Sequence, residues 1–334
     1  MIINFLIIIQ EDSMAAVSRV RNVSGVNCSK NTSRKKLWKS MKEHKMLYLM
    51  MLPGLLYFVL FRYLPMFGLV IAFKDYDIFR GIWESEWVGL KNFKDLMSSS
   101  DFWNVMKNTL VISLTKIVVG FPIPVLLAIL LNEIKNVKFK RITQTCIYLP
   151  HFLSWVVIGG IMLNLFSPVF GLAGQVFEAL GMEPVNVMAK KDTIFWVVIL
   201  SDIWKEAGWS TIVFLAALTQ VDMNLYEAAR MDGANKFQQM LHITIPAISS
   251  IIIVMLILRI GKVMNAGFEQ ILVLQNPITM ESIDIFDTYV YREGLGRGSY
   301  SFAAAVDMFK SIIALILVTS ANKISKWFGE EGIV

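Results

Sequence analysis

Six separate runs of this chain stay apolar over roughly the 20 residues that a membrane-crossing helix requires, or longer: Leu47 to Phe73, Val105 to Leu131, Thr143 to Phe166, Ile194 to Leu218, Ile243 to Leu272 and Phe302 to Ile324. No other feature constrains the fold as strongly. In a hydrocarbon layer nothing but the chain itself can satisfy backbone N–H and C=O groups, and an α-helix does so within one segment. The expectation is an all-α integral membrane protein with six transmembrane helices in one bundle. Composition agrees: 55% of the 334 residues are hydrophobic and 17% are charged, whereas soluble domains run near a quarter charged.

Loop charge sets the orientation, because short cytoplasmic loops collect Lys and Arg. The segment before the first run carries Arg19, Arg21, Lys30, Arg34, Lys35, Lys36, Lys39, Lys42 and Lys45, and the second connection carries Lys135, Lys138, Lys140 and Arg141. Both are read as cytoplasmic, whereas the loop from Lys74 to Phe102, rich in Asp and Glu, faces out. An even helix count returns the C-terminus, with Lys323 and Lys326, to the inside. The predicted organisation is a basic cytoplasmic segment over 1–44, a six-helix domain over 45–328 and a short tail over 329–334. The formal charge of +6 is then a topology signal rather than a nucleic-acid surface. The opening "MIINFLIII" is too short to span and lacks a basic lead and cleavage site; it reads as preceding a start at Met14. Cys28 and Cys146 fall on the cytoplasmic side and are expected to be free thiols.

Catalytic chemistry finds no support. His44, His151 and His242 lie far apart, and H-E-x-x-H, C-x-x-C and G-x-S-x-G are all missing, so neither metal nor nucleophilic catalysis is expected. A Walker-type G-x-x-x-x-G-K-[ST] is missing too, so any work done with ATP belongs to another subunit.

The loop over 220–246, between the fourth and fifth runs, is the least apolar part of the second half. "NLYEAARMDGA" predicts a short helix with Asn224 as N-cap and Glu227 at N3, closed by Gly233 at a position that favours positive φ. A second helical piece, Lys236 to His242, leads into the fifth helix, with Pro246 in that helix's first turns, where a missing N–H costs least. A plain connector would need only a few residues. The spacing Glu227, Ala228, Ala229, Gly233, Ile243, Ile245, Pro246 resembles the EAA motif of permease subunits in binding-protein-dependent ABC importers, E-A-A-x-x-x-G-x(9)-I-x-L-P, departing from it only at Ile245.

The resemblance runs from about Lys45 to Trp327. "LMMLPGLLYFVLFRYLPMFGLVIAFKDY", "WVGLKNF" and "DIFDTYVYREGL" followed by "YSFAAAVDMFKSIIALILV" look like the LplB-type branch of the carbohydrate-uptake permeases, relatives of the maltose system. It implies a maltose-permease-like domain in a bacterial cell membrane. The implied partners are a second permease, two ATPase subunits that bind the ATP and Mg, and an extracellular substrate-binding protein that delivers an oligosaccharide. It also implies that Tyr226, Glu227, Ala228, Ala229, Arg230, Asp232, Gly233, Ile243, Ile245 and Pro246 form the element that couples to the ATPase.

Charges inside the apolar runs are costly and usually pair or line water. Asp202, Lys205, Glu206 and Trp209 share one helix face, and Arg259, Lys262, Asn265 and Glu269 come close to the same rule. Asp307 and Lys310 are three apart, while Arg62 and Lys116 stand alone. On one reading Asp202, Lys205, Glu206, Trp209, Lys262, Asn265 and Glu269 line the substrate pathway. On the other, Asp202 pairs with Lys205, and Lys262 with Glu269, for neutralisation alone. Six buried basic residues against four acidic ones would favour an anionic substrate. A secondary transporter would also explain such charges, but no convincing repeat relates the two halves. Trp83, Trp87, Trp103 and Trp327 are expected to anchor helix ends at the interface.

Overall fold

The computed structural model describes residues 44–183 and 185–327. The basic N-terminal segment, with the opening apolar run, Met14 and Cys28, lies outside the described residues, as does the tail. The chain divides into two units, Met1–Gly68 and Leu69–Val334. In the first, helix α1 (Lys45–Phe58) continues through a π turn, Val59–Tyr63, and buries none of its side chains.

The second unit opens with a two-residue hairpin, β1 (Lys74–Asp75) against β2 (Glu86–Trp87), whose loop is tied by the Lys74 ammonium donating to the Ile82 carbonyl at 2.7 Å. Helix α2 (Ser100–Gly120) starts on Ser99, whose hydroxyl accepts from the Phe102 N–H, and α3 (Pro122–Glu133) follows with Pro122 at its first position. There the lost N–H is one the helix cannot use. Helix α4 (Val137–Tyr148) and α5 (Trp155–Leu165) share the third apolar run but meet at 101°. The expected single helix is therefore broken, because Pro150 removes a donor from the ladder and Ser154 caps a new start. A short α6 (Leu172–Ala179) precedes the long α7 (Lys191–Leu218).

Helices α8 (Met223–Met231) and α9 (Lys236–Gln239) form the polar loop. The fifth run is broken twice. A π turn, Met240–Thr244, and Pro246 precede a 65° bend before α10 (Ser249–Gly261). The chain then leaves the helix from Lys262 until α11 (Phe268–Leu274) begins after Gly267. Two last helices, α12 (Phe286–Tyr291) and α13 (Tyr300–Trp327), complete the unit.

Among the described residues, Lys45–Phe73, Ser100–Glu133 and Tyr300–Lys323 are each long and apolar enough to cross a membrane, and each bent pair would add one crossing. Helix α7 reaches about 42 Å at 1.5 Å per residue, but Asp202, Lys205 and Glu206 set it apart from these apolar helices. It is nevertheless the centre of the unit, packed along α3 and α2. Its N-terminal half buries Ile194, Val198 and Ile199 against Ile112, Ile271 and Leu274, and its C-terminal half sets Phe214 and Leu218 against Ala128 and Ile248. Closest approach is at Gly208, where an added Cβ would lie 2.0 Å from the Ile147 carbonyl oxygen. Small residues at such crossings let helix backbones meet in membranes, where no hydrophobic drive joins helices.

Candidate functional site

The polar loop is locked by its own backbone. Helix α8 is capped by Asp222, whose carboxylate accepts from the Asn224 N–H at 2.9 Å, so the expected cap at Asn224 is corrected by two residues. Asp222 is extended and ends the turn that leaves α7, which makes it the first residue able to cap. Glu227 therefore lies beyond the capping turn and is exposed, with no intrahelical duty.

Gly233 sits at φ +79°, donates to Arg230 O at 3.1 Å, and is followed by Ala234 donating to Ala229 O at 2.9 Å. This pair of bonds is the Schellman closure, which needs the left-handed residue that glycine supplies. The capping box expected on α8 is instead on α9: the Gln238 N–H donates to Asn235 Oδ1 at 2.9 Å, and the Asn235 N–H donates to Gln238 Oε1 at 2.8 Å. The Tyr226 hydroxyl lies 3.0 Å from Thr244 Oγ1 and joins α8 to the π turn that follows α9.

Glu227, Ala228, Arg230, Asp232 and Gly233 are exposed, Ala229, Ile243 and Ile245 are half-buried, and Met231 beside them is 89% exposed. A large apolar side chain so open, next to a charged pair, was not singled out in the sequence. Pro246 is not in the first turns of its helix but near the end of the continuous stretch Lys236–Ala247. The π turn before it widens the ladder where the proline withdraws its donor.

Inside the second unit the charges join differently from their sequence spacing. Lys116 is not alone: its ammonium donates to Asp202 Oδ1 at 2.9 Å, to the Ala266 carbonyl at 2.9 Å and to Gln270 Oε1 at 2.6 Å. Arg259 donates to the other oxygen, Asp202 Oδ2, at 3.1 Å. Asp202 thus pairs across helices rather than with Lys205, because i, i+3 neighbours on one helix point along its surface while Lys116 and Arg259 face it from α2 and α10.

Lys205 donates to the His151 carbonyl at 2.6 Å and lies 3.7 Å from Glu206, which contacts His151 Nδ1 at 3.0 Å. The His151 ring stacks on Trp209 at 4.7 Å and 6°. His151 carried no assigned role in the sequence; the local signal was its place beside Pro150, at the bend. Lys310 pairs with Asp287, not with Asp307. Lys262 and Glu269 are both exposed, and among the described residues no ion pair joins them.

Asp202, Glu206, Trp209, Arg259 and Lys262 line one recess of about 280 Å³, and Asn265 lines a smaller neighbour with Lys116, Asp202, Arg259 and Lys262. Glu269 borders neither. Arg259, left out of the predicted pathway set, is central to both.

Comparison with known proteins places this geometry. The chain is 49% identical over 304 residues, covering 91% of itself and 95% of the relative, to the polygalacturonan/rhamnogalacturonan transport system permease protein YteP of Bacillus subtilis (strain 168). It is 47% identical to protein LplB of the same organism over 88% of this chain and 92% of that one. Among solved structures it resembles a chain of a bacterial ABC transporter involved in the import of the acidic polysaccharide alginate, with TM-score 0.82 and 37% identity over 87% of this chain and 98% of that one. Residues 120–330 match the family described as binding-protein-dependent transport system inner membrane component, and to that family the chain belongs.

Proposed function

We propose that this chain is one permease subunit of an ATP-driven importer in a bacterial cell membrane, with six crossings and both termini cytoplasmic. The third and fifth crossings are the bent pairs, and the fourth is the charged α7. A second permease, two ATPase subunits that hold ATP and Mg, and an extracellular substrate-binding protein complete the assembly. A solved relative, 37% identical over 89% of this chain with TM-score 0.83, is an alginate ABC transporter in complex with alginate pentasaccharide-bound periplasmic protein.

One observation carries the coupling assignment. Glu227, Ala228 and Ala229 lie on an exposed helix that Asp222 caps and Gly233 closes, and that is tied to the helix entering the membrane through Tyr226 and Thr244. Such a pair moves as one body. Ala228 and Ala229 permit close backbone approach, Glu227 and Arg230 offer charge-assisted contacts, and Met231 adds an apolar anchor. Closure of the ATPase dimer pushes this helix, and the Lys236–Ala247 stretch carries the motion to the bend before α10.

The cargo is an oligosaccharide bearing carboxylates. Of the relatives named above, one is a polygalacturonan/rhamnogalacturonan transport system permease protein and another is a chain of a transporter involved in the import of the acidic polysaccharide alginate. In this chain three basic groups, Lys116, Arg259 and Lys262, border the recesses with two acidic ones, Asp202 and Glu206, of which Glu206 is engaged by Lys205 and His151. Trp209, stacked on one side by His151, lines the larger recess and offers a sugar ring an aromatic surface there.

Glu227→Lys and Gly233→Pro test the coupling assignment. Both are expected to abolish uptake and copurification of the ATPase while the permease elutes as a folded, monodisperse protein. Full assembly with normal substrate-stimulated ATP hydrolysis in both variants would refute it.

A further inference from the structure

The stretch Lys262–Gly267 interrupts the fifth apolar run, and its freed carbonyls need partners, since unwound backbone at membrane depth persists only where protein or water satisfies it. Two side chains of α2 supply them: Ser113 donates to the Val263 carbonyl at 2.5 Å and Lys116 to the Ala266 carbonyl at 2.9 Å. Lys116 is 5% exposed, and with Asp202 and Gln270 it has three acceptors for its three donors. No N–H of this ammonium is left for a passing solute. Gln270 in turn donates to the Val198 carbonyl at 2.7 Å and to Ser201 Oγ at 2.8 Å on α7. A single buried knot therefore ties α2, α7, the unwound stretch and the start of α11.

Arg259 hangs from this knot. One of its nitrogens is held by Asp202 Oδ2, while a third of its side chain stays exposed and borders both recesses with Lys262. A guanidinium has five N–H donors in a fixed fork, so the single bond to Asp202 sets its direction and leaves the remaining donors toward the recess. Lys262, at the start of the unwound stretch, takes its position from the carbonyl clamps that follow it.

We propose that Lys116 and Asp202 form a positioning pair that aims Arg259 and Lys262 at the recess and thereby sets the preference for carboxylate-bearing over neutral oligosaccharides. The proposal rests on the reading of these recesses as the path of an acidic oligosaccharide. It assigns the pair no contact with the cargo.

The test uses the assembled transporter in proteoliposomes, supplied with its binding protein and with uronate-bearing or neutral oligosaccharides of matched length. The double variant Lys116→Met/Asp202→Leu removes one positive and one negative charge, so the net charge of the recess wall is unchanged and only its positioning is lost. Its KM for the acidic oligosaccharide is expected to rise about tenfold, the scale of one charge-assisted hydrogen bond, with KM and kcat for the neutral one within about twofold. Acidic and neutral KM values that both stay at wild-type levels, or that worsen together, would overturn the pair's positioning role. Asp202→Glu keeps every charge but lengthens the reach by one methylene. It serves where the double variant does not assemble: it is expected to raise the KM for the acidic oligosaccharide relative to that for the neutral one, and an unchanged acidic-to-neutral KM ratio there overturns the proposal equally. Arg259→Gln and Lys262→Gln test the underlying reading: a wild-type transporter with no acidic preference, or variants that leave it intact, would remove the acidic-cargo reading and the proposal with it. A preference lost in these two and kept in the double variant would remove the proposal alone.

Discussion

The Asp222–Ala247 loop and the Lys116–Asp202–Arg259 knot are both polar interruptions of an apolar chain, yet they are held in opposite ways. The loop is stabilised by bonds between residues a few positions apart: Asp222 to Asn224, Gly233 to Arg230, Asn235 to Gln238. The knot is stabilised by bonds across 86 positions from Lys116 to Asp202 and 57 from Asp202 to Arg259. In water-facing surroundings each local bond contributes modestly, because water offers the same groups an alternative. In the dry interior no alternative exists, so losing one member of the knot strands the others. The loop can therefore be altered without unfolding the bundle, whereas deleting one charge of the knot destabilises its partners as well.

The contrast can be broken first at its strongest point. Asp202→Leu leaves Lys116 and Arg259 facing each other without their anion and is expected to cost about 3–5 kcal/mol, read as a large drop in the thermal midpoint of the purified permease by fluorescence-detected size exclusion. Adding Lys116→Met should restore much of that stability, and a double variant as unstable as the single would show that the cost is not electrostatic.

Gly208→Ala comes next. The new methyl would meet the Ile147 carbonyl, forcing α7 from α4 at an expected cost of about 1–3 kcal/mol, measured by the same midpoint. Asp222→Ala removes only the α8 cap and should cost about 1 kcal/mol, seen as faster amide exchange confined to α8. Exchange that rises across α7 as well would show that the loop is not an independent unit.

Much of this was legible in the sequence for a physical reason. Membrane segments announce themselves by length and hydrophobicity, and caps and glycine closures act within one turn, so the loop's helix–hinge–helix form and the role of Gly233 could be read directly. Errors there were local as well: the cap is Asp222 rather than Asn224, and the capping box belongs to Asn235 and Gln238.

The charged face of α7 misled for a different reason. Helical spacing grouped Asp202, Lys205, Glu206 and Trp209; three of the four line one recess, while Lys205 turns to the His151 carbonyl instead, and spacing could not say which residues from other helices faced them. Lys116 looked solitary and Arg259 looked secondary, because their partner is distant in sequence. Glu269 fitted the periodic pattern, yet the pattern assumed a continuous helix through Lys262–Gly267, and the break rotates Glu269 away from the recess.

The sequence by itself determined the membrane class, the apolar runs and the loop that resembles a coupling helix, since hydrophobic length and short-range hydrogen bonding depend on residues near one another in the chain. Tertiary structure alone decided where the runs bend, that His151 stacks on Trp209, and that Lys116 closes the break in the fifth run while sharing Asp202 with Arg259. A buried charge takes as partner whichever group the packing brings within about 3 Å of it in a medium that offers no water, and packing is a property of the whole bundle.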